Sequence, residues 1–162
     1  MMNMATVKQR GQGFSFVEAI FTIAIIGIMS SIVVAAISNA ARDSYRVLSR
    51  QQQATLQSAV TAWVMAQTRV GSTAQFQSLE NVRAKYNDAG SSLQRFNLLV
   101  PNPGSPDPVQ RAGFVDQTTA DQFLSYSSGG QLQTEALSSS GQYITLPDWQ
   151  SDDFPRVNLV TP

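Results

Sequence analysis

Three aspartates, Asp148, Asp152 and Asp153, lie together in the segment PDWQSDDFP. Carboxylate oxygens gathered in a loop are the ligands that calcium prefers, which makes these residues candidates for a calcium site. Their spacing matches no calcium-loop motif, and a turn accounts for them more simply. The sequence contains neither cysteine nor histidine. That removes the thiol nucleophile, a disulfide framework, the usual general base near neutral pH and the usual zinc ligands. The scattered Ser, Asp and Lys residues form no nucleophile–base pattern, and no Gly-rich phosphate loop is present. The expectation is a protein that is not an enzyme, with no cofactor beyond that calcium candidate. Its 11 basic and 11 acidic residues balance to zero, so no nucleic-acid partner is evident.

One further carboxylate, Glu18, stands alone at the edge of an apolar run. Residues 19–37 (AIFTIAIIGIMSSIVVAAI) are 19 consecutive residues without a charge. That is long enough to span a bilayer as a helix. Ahead of the run lies a short polar segment, MMNMATVKQRGQG, whose charges are Lys8 and Arg10. A secretory signal would close its apolar core with a small-residue cleavage site, and here none follows. The basic flank, Lys8 and Arg10, is expected to hold the N-terminus in the cytoplasm and send the C-terminus outward. A charge near the centre of a membrane helix costs about 2.5–3.5 kcal/mol on insertion scales, and less near the interface. Glu18 therefore calls for a stabilising partner. Two readings are open: it caps its own helix N-terminus, where the dipole favours negative charge, or it pairs with a cation on a neighbouring subunit and sets the axial register.

The elements that would position these groups follow from periodicity. Residues 38–70 contain neither Pro nor Gly, and Tyr45, Leu48, Gln52, Leu56, Val60, Trp63 and Val64 recur at spacings of three and four. Arg42, Arg46 and Arg50 share another face, available to anionic headgroups, to a neighbouring subunit or simply to solvent. Asp43 is placed to pair with Arg46 or Arg50. Between Phe14 and Val70 the one interruption is Gly27, which membrane helices tolerate. The spacing thus predicts a single helix of about 85 Å at 1.5 Å per residue, stopped at Gly71. Beyond it the texture changes, since all 7 prolines follow Gly71. Phe76, Leu79, Val82, Arg83 and Tyr86 suggest a short amphipathic helix. Gln94–Val100, Gln122–Tyr126, Gln142–Leu146 and Arg156–Val160 read as antiparallel strands separated by turns. Trp63 and Trp149 are expected in packing positions. The predicted fold class is α+β: a long N-terminal helix, transmembrane in its first half, packed on a small antiparallel β-sheet head. Its expected parts are a leader at 1–13, a transmembrane and assembly half-helix at 14–37, an amphipathic half-helix at 38–70 and a globular head at 71–162.

The stretch GFSFVEAIFTIAIIGI, residues 13 to 28, resembles the type IV prepilin signature. That signature is a basic leader ending in Gly, then Phe, three residues, Glu and a hydrophobic helix. The likeness continues through Ala24-Ile25-Ile26-Gly27-Ile28 and covers about 30 residues; beyond Asn39 only the architecture is shared. The resemblance implies that a prepilin peptidase cuts between Gly13 and Phe14 and N-methylates the Phe14 amine. It also matches Glu18 to the family's glutamate; such cleavage creates a cationic Phe14 amine, and that of a neighbouring subunit is the cation that could neutralise Glu18. Where many bacterial pilins carry a proline eight residues past Gly27, this chain has Ala35, leaving Gly27 and Ser30-Ser31 as softer points. The implied protein is a structural subunit of a type IV pilus-like filament. It would sit first in a bacterial inner membrane, single-pass with its C-terminus outside, and then in a pilus. Its implied partners are copies of itself and other pilins, the prepilin peptidase, an inner-membrane assembly platform and, before assembly, lipid. Two alternatives remain: a pseudopilin of a type II secretion system, or a signal-anchored extracytoplasmic binding module that forms no filament.

Overall fold

A computed structural model describes residues 15–69, 77–128, 130–150 and 153–161. The chain divides into two compact units, Met1–Ala40 and Ala41–Pro162. One helix, α1 (Phe16–Arg69), contributes residues to both. The long-helix expectation holds over those 54 residues, while its outer limits Phe14, Val70 and Gly71 lie outside the described residues.

In the first unit the described residues beyond Ser15 are all helical. Its most apolar 18-residue window has a mean hydropathy of 2.6 and no buried share. By length and composition this helix can cross a membrane. Two of its hydroxyls are satisfied within the helix: Thr22 Oγ1 donates to the Glu18 carbonyl at 2.7 Å and Ser31 Oγ to the Ile28 carbonyl at 2.7 Å. Such back-bonding removes the cost of placing a hydroxyl in an apolar medium.

The second unit has its own core. From α1 it takes Leu56, Ala59, Val60, Trp63 and Val64, whose spacing puts them along one face. Around this face come, among the described residues, five short helices and two strands. Helix α2 (Leu79–Asn87) starts at Ser78, whose side chain accepts from the Asn81 N–H, and it buries Val82 and Tyr86, one turn apart. Helix α3 (Ser92–Asn97) is capped by Ser91 and buries Arg95 and Phe96. Helix α4 (Pro108–Ala112) is capped by Asp107, with proline in its first turn where no donor is lost. It ends at Gly113, whose φ is 66°. A Cβ there would lie 2.6 Å from Pro101, so both conformation and space require glycine. Helix α5 (Gln117–Tyr126) is capped by Asp116 and buries Ala120 and Phe123; α6 (Glu135–Ser139) is capped by Thr134. Strands β1 (Tyr143–Thr145) and β2 (Asn158–Val160) pair antiparallel, with Ile144 opposite Leu159. Leu132 adds an isolated bridge to Ile144.

The α+β layout is present, with a smaller sheet than the sequence suggests. The runs Gln142–Leu146 and Arg156–Val160 contain β1 and β2. The runs expected as strands at Gln94–Val100 and Gln122–Tyr126 instead fall in α3 with its following turn and in α5. The physical reason is the cap. Ser91 and Asp116 each bond an N–H three residues on, and nucleation is the costly step of a helix. With that step supplied, Leu93 with Phe96, and Ala120 with Phe123, face the core at helical spacing. The short helix expected around Val82 and Tyr86 is α2, with Phe76 outside the described residues. Of the stripe expected on α1, Tyr45 and Leu48 stay 36% and 40% exposed, and burial begins in earnest at Leu56.

Candidate functional site

Glu18 lies in the first turn of α1, and its side chain is exposed. Among the described residues nothing donates a hydrogen bond to its carboxylate, although Ser15, three residues earlier, has the spacing of a capping box. Lys8, Arg10, Gly13 and Phe14, expected to orient the chain and to form the processing site, lie outside the described residues. Downstream of Glu18, Phe16–Ile37 presents large apolar side chains on every side, from Ile20 at 51% exposed to Phe16 at 79%. Gly27 leaves open space, with no atom within 4 Å of where a Cβ would stand. By length and composition such a surface can enter lipid, where apolar side chains leave water.

The three arginines at the head of the second unit are exposed. Asp43 reaches Arg46 at 3.8 Å, with both side chains largely in solvent. A pair of this kind contributes a few tenths of a kcal/mol at most.

Of the three aspartates singled out as calcium candidates, Asp148 and Asp153 are among the described residues. Asp148 pairs with Arg95, a residue only 4% exposed. The same guanidinium donates to the Leu146 carbonyl at 2.6 Å and to the Tyr86 carbonyl at 3.3 Å, and it lies 5.3 Å from the centre of the Tyr86 ring. Asp153 pairs with Arg156, Nε to Oδ2 being 3.1 Å. That bond, helped by the Phe154 N–H, lowers the Asp153 carboxyl below its ordinary range. One oxygen of each of these two carboxylates is thus held by an arginine, and Asp152 lies outside the described residues. Among the described residues no cluster of three metal-ligating side chains occurs.

Two groups of residues do structural work that sequence reasoning missed. Gln57 of α1 donates to the Pro155 carbonyl at 2.9 Å and accepts from the Val157 N–H at 2.8 Å. Gln53 donates to the Val157 carbonyl at 2.8 Å. The two glutamines lie one helical turn apart, so one face of α1 supplies the partners of an otherwise irregular C-terminal segment. The signal was the Gln51-Gln52-Gln53 run with Gln57 beyond it. The second group surrounds Asp107, which caps α4 through the Val109 N–H and accepts from Gln67 and Lys85. Burial raises the Asp107 carboxyl, and the bonds from Lys85, Gln67 and Val109 outweigh it, so the carboxyl lies below its ordinary value. No family model matches the chain, and neither a curated protein nor a solved structure does.

Proposed function

We propose that this chain is a structural subunit of a type IV pilus-like filament, cleaved between Gly13 and Phe14 and polymerised through the first half of α1. The observation that carries the reading is a helix that serves two solvents. From Leu56 on, its buried apolar residues form one side of a packed core, whereas from Phe16 to Ile37 they find no cover among the described residues. Such a surface needs lipid first and neighbouring helices afterwards. The exchange of one for the other costs little, because both are apolar, and close packing then selects the geometry. Glu18 supplies the register. Its carboxylate accepts no hydrogen bond from the described residues, and the Phe14 amine that cleavage would create on a neighbour offers the missing cation. Lys8 and Arg10 keep the leader in the cytoplasm, so the second unit is displayed outside.

Glu18→Ala tests this reading directly. The variant inserts and is processed as the parent is, since losing a carboxylate lowers the insertion cost. Assembly should fail, because the neighbour's amine is then left uncompensated among apolar helices, a penalty of several kcal/mol in the buried limit. Sheared surface filaments, quantified by immunoblot against membrane-bound subunit, should fall at least ten-fold. Intact-mass measurement of the membrane form should give a chain beginning at methylated Phe14. A normal filament yield would make Glu18 an interfacial cap, and an uncut N-terminus would end the prepilin assignment.

A further inference from the structure

Along one flank of α1, within the second unit, runs a trough that the chain leaves open. Two adjoining hollows of about 280 and 220 Å³ share Leu48, Gln52 and Gln122. Their lining on α1 reaches from Tyr45 to Leu56, about 17 Å at 1.5 Å per residue. Helices α5 and α6 supply the other wall. The walls are fixed to each other: Thr134, which caps α6, donates to the Gln52 side chain at 2.9 Å, and Phe123 of α5 shares the core with Leu56. Tyr45, Leu48, Tyr126 and Glu135 nevertheless stay exposed.

The far flank of the same helix carries a row of arginines. Arg42, Arg46 and Arg50 follow at four-residue intervals over about 12 Å, and all three are exposed. Nine helical residues make about two and a half turns. Arg42 and Gln51, like Arg46 and Thr55, therefore lie on opposite sides of α1, and Gln51 and Thr55 line the trough. Asp43 meets Arg46 at 3.8 Å in solvent, a weak pair. Among the described residues Arg42 and Arg50 have no ion pair. The trough's side is charged the other way. Between Arg111 and Arg156 the sequence holds six acidic residues and no basic one. Glu135 lines the trough and forms no ion pair among the described residues.

A guanidinium suits such a trough. It stacks on tyrosine faces, its methylene stem covers apolar surface, and its planar head takes a carboxylate in two bonds. Tyr45, Tyr126 and Leu48 offer the first two contacts, and Glu135 offers the third. A row of about 12 Å also fits inside a trough of about 17 Å. We infer that the trough between α1 and the α5–α6 wall receives the Arg42, Arg46 and Arg50 row of a second copy of this chain. The two surfaces lie on opposite flanks of one helix, so a copy bound through its trough still presents its arginines to the next. A contact of this kind is heterologous and repeats from copy to copy, whereas an isologous one closes on a pair. The inference deepens the filament reading and rests on its premise that copies of this chain associate.

Introduced cysteines test the contact cleanly, because the chain has none of its own. Asp43→Cys places a thiol beside the arginine row, and Ser139→Cys places one a helical turn beyond Glu135; both positions are exposed. Full-length copies carrying one or the other are co-expressed, then treated with a short bismaleimide in membranes and in sheared filaments. The mixture should give a linked pair, a chain carrying both thiols should give a ladder, and either single variant alone only a trace. Arg46→Glu in every copy should lower the linked fraction about three-fold, and adding Glu135→Arg should recover about half of the loss or more. Filaments that form without the link overturn this contact and leave the filament reading standing. A ladder in membranes that shed no filaments supports the contact and removes that reading, and the absence of both overturns both. Asp43→Cys linked mainly to itself would show an isologous contact and overturn the inference. So would an Arg46→Glu effect seen in phosphatidylglycerol vesicles and absent in phosphatidylcholine, which would assign the row to lipid headgroups.

Discussion

Phe16–Ala40 and Ala41–Arg69 share one backbone hydrogen-bond ladder, yet they treat water in opposite ways. In the first stretch every large apolar side chain is more than half exposed. In the second, Leu56, Val60, Trp63 and Val64 are at most 1% exposed, and glutamines beside them bond the backbone of a distant segment. The contrast teaches that helicity by itself says nothing about what a helix is for. A stripe buries itself within its own chain, and an apolar surface all round must find its cover elsewhere.

Substituting on each side of that divide should give the largest difference. Trp63 is fully buried and packs against Tyr86, with ring centroids 6.0 Å apart. Trp63→Ala should therefore destabilise the second unit by about 3–5 kcal/mol, the range for truncating a buried aromatic. Ile26→Ala, in the exposed stretch, should leave that unit's unfolding unchanged. Urea titration followed by near-ultraviolet dichroism, with the full chain in micelles, measures both. Equal effects would break the comparison, because Ile26 would then belong to the same cooperative structure.

A somewhat smaller effect belongs to Tyr86. Burial pushes its hydroxyl up to about 12, against the pull of Arg95 and with a further push from Asp148. The hydroxyl is a buried side-chain atom without a hydrogen-bond partner among the described residues. Below pH of about 10 the tyrosine is protonated in both folded and unfolded chains, so it adds no pH dependence. Between about pH 10 and 12 the unfolded chain ionises first, and stability falls as pH rises. The fall attributable to Tyr86 should reach about 3 kcal/mol. Tyr86→Phe should abolish that component of the pH slope while leaving stability at pH 7 unchanged or slightly higher, since no hydrogen bond is lost. Parallel slopes in parent and variant would show that the ring is hydrated.

The smallest effect sharpens the polar side of the contrast. Gln57→Ala removes two hydrogen bonds to the C-terminal segment and should cost about 1–2 kcal/mol. Amide exchange at Val157 should accelerate, because its N–H loses the Gln57 acceptor. Protection equal to the parent's would mean that β2 holds the segment unaided.

Much of this molecule can be read from local pattern. An unbroken helical period runs through α1, and the uncharged run after Glu18 marks the stretch long and apolar enough to cross a membrane, since both depend on neighbours within a few positions. The two real strands were legible for the same reason. Gln94–Val100 and Gln122–Tyr126 were not, because short apolar runs suit either period, and the decision fell to Ser91 and Asp116 as caps. Glu18 announced itself as a carboxylate at the edge of a long apolar run, and the sequence alone determined that. What only tertiary structure decided is which charges and amides are already spent. Arg95 meets the Leu146 carbonyl 51 positions away, and Gln57 meets Val157 across 100. No periodicity spans such separations. Burial of an arginine or a glutamine is set by the acceptor that folding brings to it, and an acceptor that distant leaves no mark on the residues around its partner.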